Sequence, residues 1–173
     1  MKSIKLAAAG LAAALAVAAA PAAFAEPEYT AIRMEIDVNA SAEHTWSKVG
    51  ADYCALGKWI AAGREVPCTV TSGDGSIGSV RSIANGAVLE ILTAKTDLSY
   101  GYAQPAKEGK FYDHYHGFME AKPTGANTSK IIYTLMYDVS NLADQAAKDA
   151  DVKRRRTQFE AALKTMKAMA EAK

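Results

Sequence analysis

Glu90 is the lone acid in the apolar run Val88-Leu89-Glu90-Ile91-Leu92. A carboxylate in such a setting can orient a polar ligand group, and burial would raise its pKa toward proton-transfer chemistry. Alternation alone leaves its direction open, because either Glu90 or the Leu89 and Ile91 pair could face inward. His114 and His116 are two apart, so on a strand they share a face and could begin a metal site. No third ligand is recognisable, and exposed strand histidines are the plainer reading. In that case Tyr115 and Gly117 face the other way. Tyr100, Tyr102, Tyr112, Tyr115, Tyr133 and Tyr137 all fall on predicted strands. A buried tyrosine needs a partner for its hydroxyl, which suits a cavity holding an amphipathic ligand as well as it suits ordinary half-buried positions. Lys153-Arg154-Arg155-Arg156 could bind an anionic partner or a membrane surface, but a solvated face paired with Asp149, Asp151 and Glu160 is the plainer reading. No Gly-x-Ser-x-Gly, phosphate-cradling loop or paired-acid signature is present.

The elements that position these residues begin after a distinct N-terminus. Residues 1–25 carry Lys2 and Lys5, an uncharged Ala-rich run from Leu6 to Ala20, Pro21, and Ala23-Phe24-Ala25. This is the pattern of a cleaved export signal, with the cut between Ala25 and Glu26. The apolar run is shorter than the roughly 20 residues a spanning helix needs, and no later segment is long and apolar enough. The expectation is a periplasmic or secreted domain over residues 26–173. Without the leader, 18 basic residues face 19 acidic ones, a net charge of −1 that argues against nucleic-acid binding. Half the chain is apolar, which excludes general disorder. In an oxidising compartment Cys54 and Cys68 are expected to pair, since their spacing is not that of a redox Cys-x-x-Cys motif. Free or catalytic thiols are the alternative.

Ile32, Met34, Ile36 and Val38 alternate with Arg33, Glu35 and Asp37, the mark of a half-buried strand. Ser41 can cap a helix carrying Trp46 and Val49, and a second short helix or turn over Ala51–Gly57 leads to Trp59. Strands are expected near Glu65–Thr71, Ile77–Ile83, Ala87–Lys95, Leu98–Ala103, Lys110–Lys122 and Ser129–Val139. Asn85-Gly86 is a strong two-residue hairpin signal. Residues 142–172 lack Gly and Pro, and Val152, Phe159, Leu163, Met166 and Ala170 form one apolar stripe along a long helix. A curved antiparallel sheet must cover its apolar face, and that helix is the available cover.

The order of these segments resembles the START-like, or SRPBCC, superfamily of helix-grip proteins. Ala42–Gly50 looks like its first helix. Tyr53-Cys54-Ala55-Leu56-Gly57-Lys58-Trp59 with Val66-Pro67-Cys68 is similar to a pattern of bacterial members. Gly78-Ser79-Val80-Arg81 followed by Asn85-Gly86-Ala87-Val88-Leu89-Glu90 matches the hairpin, and His114-Tyr115-His116 stands where a strand usually carries a central Tyr. Two features depart from the pattern. The Asn85-Gly86 turn is shorter than the lid of the hormone-receptor branch, and Ile60-Ala61 stand where bacterial members often have His-Pro.

The resemblance implies an α+β helix-grip fold: a curved antiparallel sheet of about seven strands around a long C-terminal helix, with two short helices after strand one. It also implies a cavity-facing Glu90. The leading expectation is a non-catalytic carrier of a small hydrophobic or amphipathic molecule, in the manner of lipid transport. Its cavity would be lined by Trp59, Glu90, Tyr115, Tyr133, Phe159, Ala162, Leu163 and Met166, with no metal or cofactor. A cyclase- or dehydratase-like enzyme using Glu90 with Tyr115 is the second expectation. The third is a protein that acts on a periplasmic protein partner, as exported members do in methanol oxidation.

Overall fold

The computed structural model describes residues 26–172; the leader expected over residues 1–25 lies outside them. The chain runs β1 (Tyr29–Val38), α1 (Ala42–Val49), α2 (Leu56–Trp59), β2 (Cys68–Ser72), β3 (Val80–Ile83), β4 (Val88–Lys95), β5 (Ser99–Ala103), β6 (His116–Gly125), β7 (Thr128–Asp138) and α3 (Gln145–Glu171). The strands form one antiparallel sheet ordered β1-β7-β6-β5-β4-β3-β2. Every neighbour is consecutive in sequence except β1, which crosses to pair along its whole length with β7.

Local chemistry explains the helices. The Ser41 hydroxyl accepts from the His44 N–H at 3.2 Å and caps α1. Asp144 accepts from the Ala147 N–H at 2.8 Å and caps α3. Ile32, Met34 and Val38 of β1 are buried, while Arg33, Glu35 and Asp37 face water. From α3, Phe159, Ala162, Leu163, Met166 and Ala170 are buried against the sheet and α1. Among the described residues no helix is long and apolar enough to cross a membrane.

Cys54 and Cys68 form a disulfide with Cα atoms 5.4 Å apart. It ties the segment before α2 to the first residue of β2.

One expected strand is only half present. Residues 104–115, including Phe111, Tyr112, His114 and Tyr115, form a loop, and β6 begins at His116. The reason is a missing ladder partner: β5 ends at Ala103, opposite His116. His114 has a φ of 49°, so it and His116 are not two residues of one strand face. β3 is also shorter than expected, because residues 73–79 turn through Gly73 and Gly78 at positive φ, and β2 starts only at Cys68, after Pro67, which has no N–H to donate.

Denatured protein without reductant should show no titratable thiol. Reduction should lower the melting temperature by roughly 6–12 °C, since opening a 15-residue loop releases about 3 kcal/mol of unfolded-state constraint. Two free thiols, or a melting point indifferent to reductant, would contradict this.

Candidate functional site

The turn after β3 sets the site. Asn85 and Gly86 have φ of 56° and 92°, the positive values a type I′ hairpin demands at its two central positions. The turn over residues 84–87, centred on Asn85-Gly86, places Ile83 opposite Val88 and Arg81 opposite Glu90. Directly opposed residues share a face of the sheet. Here that face is the concave one: Arg81 is 0% and Glu90 3% exposed. Leu89 and Ile91 point to the other face and are half-buried.

Two opposite charges are thus enclosed together. Glu90 Oε2 accepts from Arg81 Nε at 2.8 Å and Nη2 at 2.5 Å. Arg81 Nη1 donates to the Tyr53 carbonyl. The guanidinium lies 4.1 Å from the Tyr53 ring centroid, 5.1 Å from Tyr102 and 5.4 Å from Tyr100. Taking each charge out of water costs several kcal/mol, so the fork geometry and the three rings are what make the burial tolerable.

Glu90 Oε1 is used far less. Its partner is Gln104 Nε2 at 3.4 Å, a weak contact. Glu90 and Gln104 line a cavity of about 170 Å³ whose walls include Ile60, Ile83, Val88 and Phe159. Tyr115 closes one side, and Arg154 and Arg155 of α3 stand at the rim. A second cavity of about 370 Å³ lies under the 104–113 loop, and Arg155 and Gln104 line both. Arg155 sits 3.9 Å from the Tyr137 ring and 5.3 Å from Tyr115, with Nε bonded to Asp151 at 2.8 Å.

Of the residues expected to line a cavity, Glu90, Tyr115 and Phe159 meet at this one. Trp59, Tyr133, Ala162, Leu163 and Met166 are packed in the hydrophobic core. Trp59 Nε1 donates to the Val49 carbonyl at 3.0 Å, and the Tyr133 hydroxyl is 2.8 Å from that of Tyr102. Arg81, Gln104 and the rim arginines were not among the expected site residues. The Asn85-Gly86 register is the signal that pairs Arg81 with Glu90. Among the described residues, no three His, Cys, Asp or Glu side chains gather as a metal site.

Burial pushes the Glu90 carboxyl above its ordinary value, while the Arg81 charge pulls against it. Burial also raises Tyr53, Tyr100, Tyr102, Tyr115 and Tyr133, and pushes Tyr137 up to about 12. The hydroxyls of Tyr53, Tyr100 and Tyr137 are enclosed without a hydrogen-bond partner in the protein.

Two outcomes follow. Arg81→Met alone should cost about 3–5 kcal/mol in urea unfolding, because it strands a buried carboxylate. Adding Glu90→Leu should restore most of that loss in a double-mutant cycle; a double variant as weak as the single would contradict a pairwise ion pair. The raised tyrosines contribute stability in full below pH 10, where unfolded tyrosine ionises. The contribution falls as pH climbs through that value toward the folded ones. Unfolding midpoints should therefore drop as pH rises from about 10 toward about 12, and a flat profile would contradict it.

No family model matches the chain, and no curated protein matches it. Solved structures do. XoxI from Bacillus cereus is 19% identical with a TM-score of 0.61, over 82% of this chain and 96% of that one. The aromatase/cyclase ZhuI from a Streptomyces strain is 15% identical with a TM-score of 0.63, over 83% and 94%. Ara h 8.0201 is 16% identical with a TM-score of 0.58, over 80% and 98%. Such likeness speaks to architecture. Seven antiparallel strands curved around a C-terminal helix, with two short helices after the first strand, give this chain the START/Bet v 1-like helix-grip fold.

Proposed function

We propose that the protein binds a small apolar molecule of about one ring that carries a hydrogen-bond donor. The observation that carries this is Glu90: one oxygen is committed to Arg81, while Oε1 keeps acceptor capacity in a cavity with largely apolar walls. Volume supports the small size. Drug-sized ligands occupy about 300–1,000 Å³, whereas an apolar cavity of about 150 Å³ holds benzene. A space of about 170 Å³ suits a phenol-sized molecule. The disulfide and the leader-like N-terminus favour a periplasmic or secreted setting for this binding.

A cyclase- or dehydratase-like reaction is the second reading, favoured by Glu90 and Tyr115 lining the same cavity and by the raised Glu90 pKa. Phe118 and Met136, exposed on the convex face, support the protein-partner reading instead.

Calorimetric titration with para-cresol and toluene tests the proposal. Para-cresol should bind, and toluene about tenfold more weakly or worse, since Glu90 then lacks its donor. Val88→Phe should abolish both while circular dichroism stays unchanged. Equal affinities would remove Glu90 from recognition, and no binding of either would favour the protein-partner reading.

A further inference from the structure

The cavity offers different hydrogen-bonding groups at its two ends. Its inner end holds Glu90, whose charge is paired with Arg81 and whose Oε1 still accepts a donor. Its rim is formed by α3, where the basic run Lys153-Arg154-Arg155-Arg156 divides by direction. Arg154 and Arg155 line the cavity. Arg156 turns away, 3.7 Å from Glu160 and 3.4 Å from the Arg33 carbonyl.

The rim arginines are matched in charge by Asp151 and Asp113 but keep hydrogen-bond donors unused. Asp151 serves both: Oδ1 accepts from Arg154 Nη2 and Oδ2 from Arg155 Nε at 2.8 Å. Asp113 adds an ion-pair contact to Arg155 at 3.6 Å. Two guanidinium groups carry about ten N–H donors between them, and these contacts use few of them. The unused donors lie at the water-facing end of the cavity, since the Arg154 side chain is 61% exposed while Glu90 is 3% exposed.

We infer that the ligand is a hydroxyaryl acid, bound with its hydroxyl inward on Glu90 and its carboxylate outward on Arg154 and Arg155. This rests on the ring-binding reading above. The acceptor within and the donors at the rim fix the orientation: reversed, the ligand's carboxylate would meet the lone pairs of Glu90 Oε1. An aryl amine with an outward ammonium would face the arginines, so cations are disfavoured.

Para-hydroxyphenylacetate and para-cresol share the phenol and differ by the outward carboxylate. Calorimetry at low ionic strength should show the acid binding about threefold to tenfold more tightly. Added salt should erode that preference, because the rim is open to water; the Arg154 side chain is 61% exposed. Arg154→Ala, a surface change, should reduce the acid-over-cresol ratio by roughly twofold to fivefold. Para-cresol binding as tightly as the acid, or a ratio indifferent to both salt and Arg154→Ala, would overturn the acid specificity and leave ring binding standing. No binding of either probe would overturn the ring-binding reading and this inference together.

Discussion

A guanidinium and a carboxylate sealed from water on a two-stranded hairpin constrain almost everything around them. Neither charge can lose its partner without leaving several kcal/mol of uncompensated desolvation. The register of β3 on β4 must therefore hold, and Asn85-Gly86 holds it. The Tyr53 carbonyl must stay beneath Arg81 Nη1, and the bond from the next residue, Cys54, to Cys68 anchors that stretch to the adjoining strand. The disulfide is thus a local positioning device for a buried cation, in addition to a restraint on the unfolded chain. Well-packed apolar residues would often be as stable as a buried ion pair.

The grip of α3 on the sheet is uneven, and that decides where space remains. Its second half presses Phe159, Ala162, Leu163 and Met166 into a core already filled by Trp59, Tyr133 and Met119. Tyr102 reaches this core because residue 117 is glycine; a Cβ there would come within 2.2 Å of the Tyr102 ring. The Tyr102 hydroxyl then meets that of Tyr133. With the middle of the grip occupied by tyrosines, room is left toward the first half of the helix, where α3 presents arginines. A cavity with an acceptor at its inner end and arginine donors at its rim follows from that division.

Much of the fold was legible because its cues are local: the β1 alternation, the Ser41 cap, the hairpin turn, and the Phe159–Ala170 stripe. The stretch before His116 was not. Phe111, Tyr112 and Tyr115 have strand-like side chains, but a strand also needs a neighbour, and the length of β5 is not written in residues 104–115. The site divides in the same way. Glu90 stood out as an acid in an apolar run, and its opposite number was readable from the turn length. That Trp59 and Met166 pack in the core while Glu90, Tyr115 and Phe159 share a cavity depends on where α3 docks, a long-range outcome that periodicity does not encode.

The pairing of β1 with β7 has a kinetic consequence. Val38 is registered on Ser129, so the first strand has no ladder until the last strand is available. The intervening chain takes on the order of ten seconds to synthesise. Until then Ile32, Met34 and Val38 lack the surface that buries them, and the pairing demands closure of one of the longest loops in the chain. Strands β2 to β6 pair with consecutive neighbours and can ladder as they appear, so β1 closes the sheet last.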